Sequence, residues 1–541
     1  MVQDTLRRYF DQIAKLYKYQ GESLDRVLDN TNTLTIAPTG KGKSLVFQLA
    51  GLKMKGTTIV VSPLKALMNE QVNTLISRDI NAIAFNSDKS FIEQRKILRN
   101  LKYTKPKFIY VSPERLFNYF FRSALKFSGI DINLVVIDEA HCISQWGIDF
   151  RPDYGNIMPF IEFLNNKCEQ HPTILALTAT LGNEAREDIL KEFNIHKNDV
   201  VIDKGIIRKD LHLNFLKVKQ EEEKIERIKG FINDNNLSKV LVYLYSRKKC
   251  ETFSDMVSDS GFFHARVPAE KKDEVYRKFK EGKIKILFAT TAFGMGINIP
   301  DIDGVIHMHL PGSVEEYYQH VGRGARNNNI VKTCHCLLVW SDTNFDRKKG
   351  RIQGETLTED DLHKGYKHLA MKNKKQGDKT YIKFEEIYKN DGSYGSVKLS
   401  LIKRMFEKYK ICKTIGDIYG NPKDIIFKVN TELWKKVLHK LRVRNQFLLA
   451  ERLTGIALEE LIDHVYKEEL KGNIEKLPAR KRILFIEKQK DSLDKYVITK
   501  ILEESKEVEE FKISQLEQLY KLVTSDDPSK HIARVLDVPY K

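Results

Sequence analysis

The sequence predicts an α/β protein: two tandem lobes, each a parallel sheet covered by helices, then a small basic helix-and-hairpin module and a helical C-terminal region. Three observations carry this. Short apolar, β-rich runs alternate with amphipathic helical stretches through the first 340 residues. Runs such as Leu134-Val-Val-Ile lack polar alternation, so both faces of their sheet must be covered, the condition of a parallel sheet. The same plan occurs twice, over 1–205 and 206–345, before the composition changes.

Composition bounds the alternatives. The 541-residue chain is 41% hydrophobic and 30% charged, which excludes wholesale disorder and collagen-like sequence. No apolar run reaches the ~18 residues that a bilayer span needs. The first ten residues carry charge with no apolar signal core behind them, and six cysteines are few for a disulfide framework, so a cytoplasmic protein without membrane association is expected. The formal charge is +18, and residues 361–450 hold 21 Lys and Arg against 9 Asp and Glu. Such a block suits a polyanion site, although a solvated lysine-rich surface has the same composition.

In the first lobe the expected strands are Thr33–Ala37, Thr58–Ser62, Lys107–Ser112, Leu134–Asp138 and Thr173–Thr178. Ligands of open α/β sheets lie at the carboxyl ends of strands, so the residues just after each run are the informative ones. After the first run stands Pro38-Thr39-Gly40-Lys41-Gly42-Lys43-Ser44, then an apolar helix. A strand, a glycine loop ending in Gly-Lys-Ser and a helix form a phosphate cradle: glycines let N–H groups converge, and the helix start adds its positive dipole end. Lys43 would meet the β- and γ-phosphates of a nucleotide, and Ser44 would ligate Mg²⁺. Asp138-Glu139 closes a buried strand, where a carboxylate is costly unless it meets a cation or strong donors. Asp138 suits the Mg²⁺ shell and Glu139 the activation of water.

The second lobe is expected to use Lys239–Tyr245, Phe262–Val267, Ile284–Thr290, Val305–Leu310 and Thr333–Trp340. Ser313-Val-Glu-Glu316 reads as a capping box opening a helix that bears Gln319, Arg323 and Arg326 on one face. Arginine suits a developing phosphoryl charge, being planar and always protonated.

With these motifs in place the chain resembles a superfamily-two helicase, and more narrowly the RecQ family of DNA helicases, over residues ~16 to ~340. Further matching strings are Val61-Ser-Pro-Leu-Lys-Ala-Leu67, Tyr110-Val-Ser-Pro-Glu-Arg-Leu116, Ala176-Leu-Thr-Ala-Thr180 and Ala289-Thr-Thr-Ala-Phe-Gly-Met-Gly-Ile-Asn298. The narrowest runs from Asp138 through His141 and the aromatic Trp146, Phe150 and Tyr154. The resemblance implies two RecA-like lobes, ATP with Mg²⁺, and 3′–5′ translocation on single-stranded DNA that opens duplexes. It also implies an adenine-reading Gln20, phosphate-loop contacts from Thr39, Gly40, Lys41, Gly42, Lys43 and Ser44, a nucleotide role for Gly296, and a catalytic role for His141. Ser62, Pro63, Thr290 and the loop residues Trp146, Phe150, Arg151 and Tyr154 are the implied DNA contacts. Tyr17 stands where the family usually has arginine, Ile148 where it has histidine, and Gly324-Ala325 reverses the usual order. The family's four-cysteine zinc module has no counterpart, since only Cys412 follows the lobes, so no zinc is expected.

Residues 346–450 read as helix, hairpin and helix, a winged-helix-like module. Val397–Tyr409 carries Lys403 and Arg404 for duplex phosphates, and Ile411–Ile415 with Asp424–Val429 is expected to form a hairpin whose tip, with Tyr419, wedges a forked duplex. Residues 451–541 are expected to be helical, through Leu458–Leu470, Ser492–Val508 and Phe511–Val523, and to meet a protein partner. Two other functions fit the nucleotide motifs: an RNA-directed helicase, and an ATP-gated clamp or scaffold that binds DNA without unwinding it.

Overall fold

The computed structural model describes all residues except 1, 87–88, 145–151, 169–170, 180, 221, 294–298, 328, 368–378, 384–395, 420–424, 428–457, 477–481, 491, 539 and 541. Trp146, Phe150 and Arg151, expected at the DNA, and Gly296, expected at the nucleotide, lie outside the described residues.

The first sheet has seven parallel strands: β1 (Thr33–Ile36), β2 (Thr57–Val61), β3 (Ala82–Phe85), β4 (Phe108–Val111), β5 (Ile132–Ile137), β6 (Thr173–Thr178) and β7 (Val200–Ile202), in spatial order 3-4-2-5-6-1-7. The second has six: β8 (Leu211–Lys217), β9 (Val240–Tyr243), β10 (Ser260–Phe263), β11 (Ile286–Ala289), β12 (Gly304–His307) and β13 (Cys334–Trp340), in order 10-11-9-12-13-8. All their pairings are parallel. Four residues of β5, Val135, Val136, Ile137 and Leu134, are fully buried, as an uninterrupted apolar run with helices on both faces requires. Each lobe has cores on both faces of its sheet, and the largest core runs continuously from one lobe to the other.

The third unit departs from expectation. Cys412–Tyr419 (β15) pairs antiparallel with Arg482–Lys488 (β18), which also pairs with Lys379–Lys383 (β14). Ile425–Phe427 (β16) pairs with Ile474–Lys476 (β17). Among the described residues the 411–415 and 424–429 runs therefore do not pair with each other, and the expected hairpin is not formed. In its place β15 takes Arg482-Ile-Leu-Phe-Ile-Glu-Lys488, a longer apolar run, as its neighbour. The division at 450 is crossed as well: Leu362, Ile402, Phe406 and Ile411 share one core with Ile486, Val497 and Ile501.

Residues 458–538 are largely helical and pack on both lobes. The Leu458–Leu470 helix lies on lobe 1, with Asp463 2.6 Å from both Ser123 Oγ and Lys126 Nζ, and Tyr466 donating to Leu98 O at 2.7 Å. The two helices expected over 492–523 are one, Lys495–Val523, and its Tyr520 ring meets Trp340 and Phe345 of lobe 2. Asp527 caps the final helix, Pro528–Val535, by accepting from Lys530 N. No described helix is long and apolar enough to cross a membrane.

Candidate functional site

Between β1 and the Lys43–Lys53 helix the chain turns through Gly40 at φ +82° and Gly42 at φ +75°, left-handed values that cost a non-glycine residue strain. Torsion is what demands glycine; the space is merely tight, with a Cβ on Gly42 3.0 Å from Gln20 Nε2. Gln20 is buried, donates to Gly42 O at 2.9 Å and accepts from Tyr17 N at 2.8 Å, so it clamps the loop's outer end. The Tyr19 hydroxyl donates to Lys41 O at 2.5 Å, and the Lys41 ammonium lies 5.4 Å from the Tyr17 ring centre.

Inside the loop, Lys43 Nζ donates to Ala37 O at 2.7 Å and Pro38 O at 3.2 Å. Burial draws its pKa down, against the opposing pull of Glu139 and Asp138. Gln71 Nε2 donates to Ser44 Oγ at 3.2 Å and is itself fixed by Tyr110, whose hydroxyl donates to Gln71 Oε1 at 2.9 Å.

Asp138 follows β5. Its enclosed position, then the neighbouring charge of Glu139, push its carboxyl up to about 7 against the pull of Lys43. Ser62 Oγ donates to Asp138 Oδ2 at 3.2 Å. Ser62 is buried, which corrects its assignment as a DNA contact: its hydroxyl is spent on the carboxylate. Pro63 beside it is half-buried. Glu139 adopts φ +50°, a strained left-handed backbone of the kind that clusters at functional sites. Its Oε2 lies 3.4 Å from Nδ1 of the buried His141, and that nitrogen is 3.0 Å from Thr178 Oγ1 at the end of β6.

Tyr154 is a second correction. It is fully buried in the core of lobe 1, with its hydroxyl donating to Asp138 O at 2.8 Å, so its ring has no face free for a base. Aromaticity on a loop is shared by stacking residues and by core anchors, and burial with a satisfied hydroxyl identifies the anchor.

The second lobe supplies the cations differently from the helical-face expectation. Ser313 Oγ accepts from Glu316 N at 3.1 Å, but the helix ends at Val321, and Ala325 turns the chain at φ +45°. Gln319 is on the helix; Arg323 and Arg326 are on the turn after it, so the three do not share one helical face. Arg208 holds that turn, donating to Gly322 O at 3.1 Å and Ala325 O at 2.9 Å. Arg326 thereby reaches lobe 1, where a Cβ on Gly40 would lie 3.5 Å from its Cγ. The structure thus brings together Gln20, Gly40, Gly42, Lys43, Ser44, Asp138, Glu139, His141 and Arg326 from both lobes.

The glycine cradle, the enclosed lysine and the paired strand-end carboxylates fit a nucleotide triphosphate with a divalent cation. Asp138 and Glu139 stand side by side, and burial with mutual repulsion raises the pKa of the Asp138 carboxyl; a hard cation between such oxygen donors would relieve both.

Lobe 2 also holds an open groove of about 1190 Å³, lined by Arg247, Lys248, Arg266, Lys271, Thr290 and Arg323 among others. Of these, sequence reasoning named Thr290 and Arg323. The strand-end rule would have found three more, since Arg247 and Lys248 follow β9 and Arg266 follows β10, whereas Lys271 lies within the Ala269–Lys280 helix. Lys403 and Arg404 are placed otherwise than expected. Lys403 Nζ is 2.9 Å from Glu407, and the Arg404 guanidinium lies so close over Gly155 that a Cβ there would collide with it. Lys403 is thus paired within its own helix and Arg404 meets lobe 1, instead of the two lining a phosphate track. Tyr419 ends β15, opposite Arg482.

Comparison with known proteins agrees with this geometry. Residues 17–189 match the DEAD/DEAH box helicase family and residues 223–328 the helicase conserved C-terminal domain. The chain is 37% identical over 344 residues to the ATP-dependent DNA helicase RecQ of Bacillus subtilis (strain 168), covering 63% of this chain and 56% of that one. It is 36% identical over 318 residues to the Pasteurella multocida (strain Pm70) RecQ, covering 58% and 48%. It therefore spans about half the length of these two relatives. With the probable ATP-dependent DNA helicase RecS of Bacillus subtilis (strain 168) it shares 32% over 367 residues, 67% of this chain and 71% of that one. Among solved structures, Mycobacterium smegmatis helicase Lhr bound to ssDNA and AMP-PNP aligns at TM-score 0.53 and 20% identity, over 64% of this chain and 49% of that one. S. cerevisiae Dbp5 bound to RNA and ADP BeF3 aligns at 0.50 and 16%, over 65% and 90%, and both likenesses are of fold. Two parallel-sheet lobes of the RecA-like kind, the shared cleft motifs and the extent of the RecS match together make this chain a member of the RecQ family of DNA helicases.

Proposed function

We propose that the chain is an ATP-dependent DNA helicase that moves 3′ to 5′ along one strand and displaces the other. The observation that carries this reading is the reach of Arg326 from lobe 2 to Gly40 of lobe 1's phosphate loop. A nucleotide site completed by both lobes makes the closed cleft the bound state and the open cleft the empty one, which is what a translocating cycle requires.

In this mechanism Gln20 exchanges its bonds to Tyr17 N and Gly42 O for the edge of adenine, Thr39, Gly40, Lys41, Gly42 and Lys43 hold the phosphates, and Gly296 is assigned to the same nucleotide. Ser44 and Asp138 would hold Mg²⁺, which when bound neutralises phosphate charge. Glu139 orients a water and takes its proton as the oxygen attacks the γ-phosphorus, with ADP leaving. His141 carries the state of Glu139 to Thr178. Arg326, Arg323 and Gln319 compensate charge spreading onto the transferred phosphoryl. Trp146, Phe150 and Arg151 contact the single strand, with Pro63 and Thr290, and the lobe 2 groove takes its phosphates. Residues 1–205 and 206–345 act as the two moving bodies. Tyr419 at the end of β15 is the candidate wedge on forked DNA, and the 451–541 region, beyond its packing on the lobes, is a candidate protein contact. The six free thiols suit a cytoplasmic setting.

The deciding experiment is strand displacement with 3′- or 5′-tailed substrates, in DNA and in RNA, with and without ATP. Opening of 3′-tailed DNA with ATP is expected. Opening of RNA alone would install the RNA-directed reading, and hydrolysis without displacement would leave a clamp.

A further inference from the structure

The open groove of lobe 2 extends away from Gln319 and Arg323, and one of its walls is aromatic. Tyr245 follows β9 and is 57% exposed, a large apolar ring left in water among cations. It is nevertheless held. The Arg351 guanidinium lies over the ring with its carbon 4.2 Å from the centroid, and His309 meets it edge-on at 6.2 Å and 61°. Arg351 is fixed in turn by Glu355 one helical turn on, at 3.3 Å. One ring face is thus covered by a planar cation and the exposed area belongs to the other. Arg247 and Lys248, two and three residues along the chain, are groove residues too.

We propose that Tyr245 and Arg351 form a pedestal on which one nucleobase of the bound single strand stacks, with Arg247 and Lys248 taking the adjoining phosphates. The inference rests on the nucleic-acid reading given above and deepens it. Every base has a π-face, so the contact is sequence-tolerant, and a ring already immobilised by its neighbours loses little freedom on binding. The cation beneath the ring strengthens it as a platform, since guanidinium, tyrosine and base then form one stack. Arg351 belongs to the Asp342–Glu355 helix, which follows the last strand of lobe 2, so the segment beyond the lobes takes part in holding the strand.

The test titrates the full chain with a labelled oligothymidylate and with an abasic oligomer of the same length and charge. The wild type is expected to prefer the oligomer that carries bases. Tyr245→Ala should remove on the order of ten-fold of that preference, while Tyr245→Phe keeps it. The salt dependence of binding should be the same in both variants as in the wild type, because no phosphate contact is lost; Arg247→Ala should flatten it and weaken both oligomers alike. The pedestal is overturned if Tyr245→Ala retains the full preference, or if Tyr245→Phe loses as much as Tyr245→Ala. A wild type that binds neither oligomer instead removes the nucleic-acid reading itself, and the pedestal with it.

Discussion

The hydroxyl of Tyr154 donates to the backbone carbonyl of Asp138 at 2.8 Å, tying the far end of the aromatic segment to the strand end that bears Asp138 and Glu139. A strand of DNA engaging the aromatic segment would therefore act on a stretch of chain whose Tyr154 end is fixed to that strand end. Tyr154→Phe removes the tie and keeps the ring. Stability should fall by about 0.5–1.5 kcal/mol, the net worth of one hydrogen bond. Stimulation of ATP hydrolysis by single-stranded DNA should fall several-fold in steady-state assays. Full stimulation in the variant would take Tyr154 out of the coupling path.

Lys43→Ala should abolish nucleotide binding, read with a fluorescent ATP analogue, and unwinding with it. Glu139→Gln should bind the analogue normally and hydrolyse ATP about 10²–10⁴-fold more slowly, the range for a lost general base. Normal turnover in Glu139→Gln would place the base on another residue.

Arg326→Ala should lower kcat by on the order of 10³-fold while the affinity for ATP changes little, as befits a cation that meets charge appearing only in the transition state. Arg326→Lys should recover little, since a point charge lacks the guanidinium fork. A variant with weakened ATP affinity and unchanged kcat would make Arg326 a ground-state contact.

His307 and His320 are buried in lobe 2 with ring nitrogens 3.2 Å apart, and both pKa values are held well below 6.5, by burial first and by neighbouring positive charge second. Below the ordinary imidazole range the unfolded chain takes up protons that the folded chain refuses. Stability is therefore full near neutrality and falls on acidification, by up to about 1.4 kcal/mol per pH unit for each histidine kept neutral. Thermal melts between about pH 7.5 and 5.5 should show the loss, and His307→Asn should reduce it. An acid dependence identical to wild type would assign the effect to other groups.

Glu469 is buried and paired with Arg95 and with Arg99, the latter at 2.8 Å. Glu469→Ala removes a buried carboxylate shared by Arg95 and Arg99, so about 1.5–3 kcal/mol of docking should be lost, the range for hydrogen bonds to a charged group. Limited proteolysis should then cut near the Leu458–Leu470 helix sooner than in the wild type. An unchanged digestion pattern would mean that Asp463 and Tyr466 suffice to dock it.

The lobes were legible because their strands are continuous apolar runs bounded by helices, and Thr173–Thr178 matched to the residue. What escaped notice was at sheet edges: β3 and β7 are short, and β8 alternates exposed with half-buried positions, leaving no dense run. The phosphate loop and carboxylates were readable because their chemistry demands particular residues in sequence. Arg208, Gln71 and Thr178 were not, since each acts by a contact between distant segments. The pairing of β15 with β18 was hidden for the same reason, as antiparallel partners some 65 residues apart carry no local turn signal.

In the β14-β18-β15 sheet the middle strand is the last to be synthesised. During translation both lobes emerge with their sheets complete, whereas β14 and β15 wait with open edges until Arg482–Lys488 leaves the ribosome. A chain interrupted before that point would display two unsatisfied strand edges, a template for self-association. Shortened versions of this protein ending between the lobes and β18 should therefore stop soon after Trp340, before the waiting strands begin.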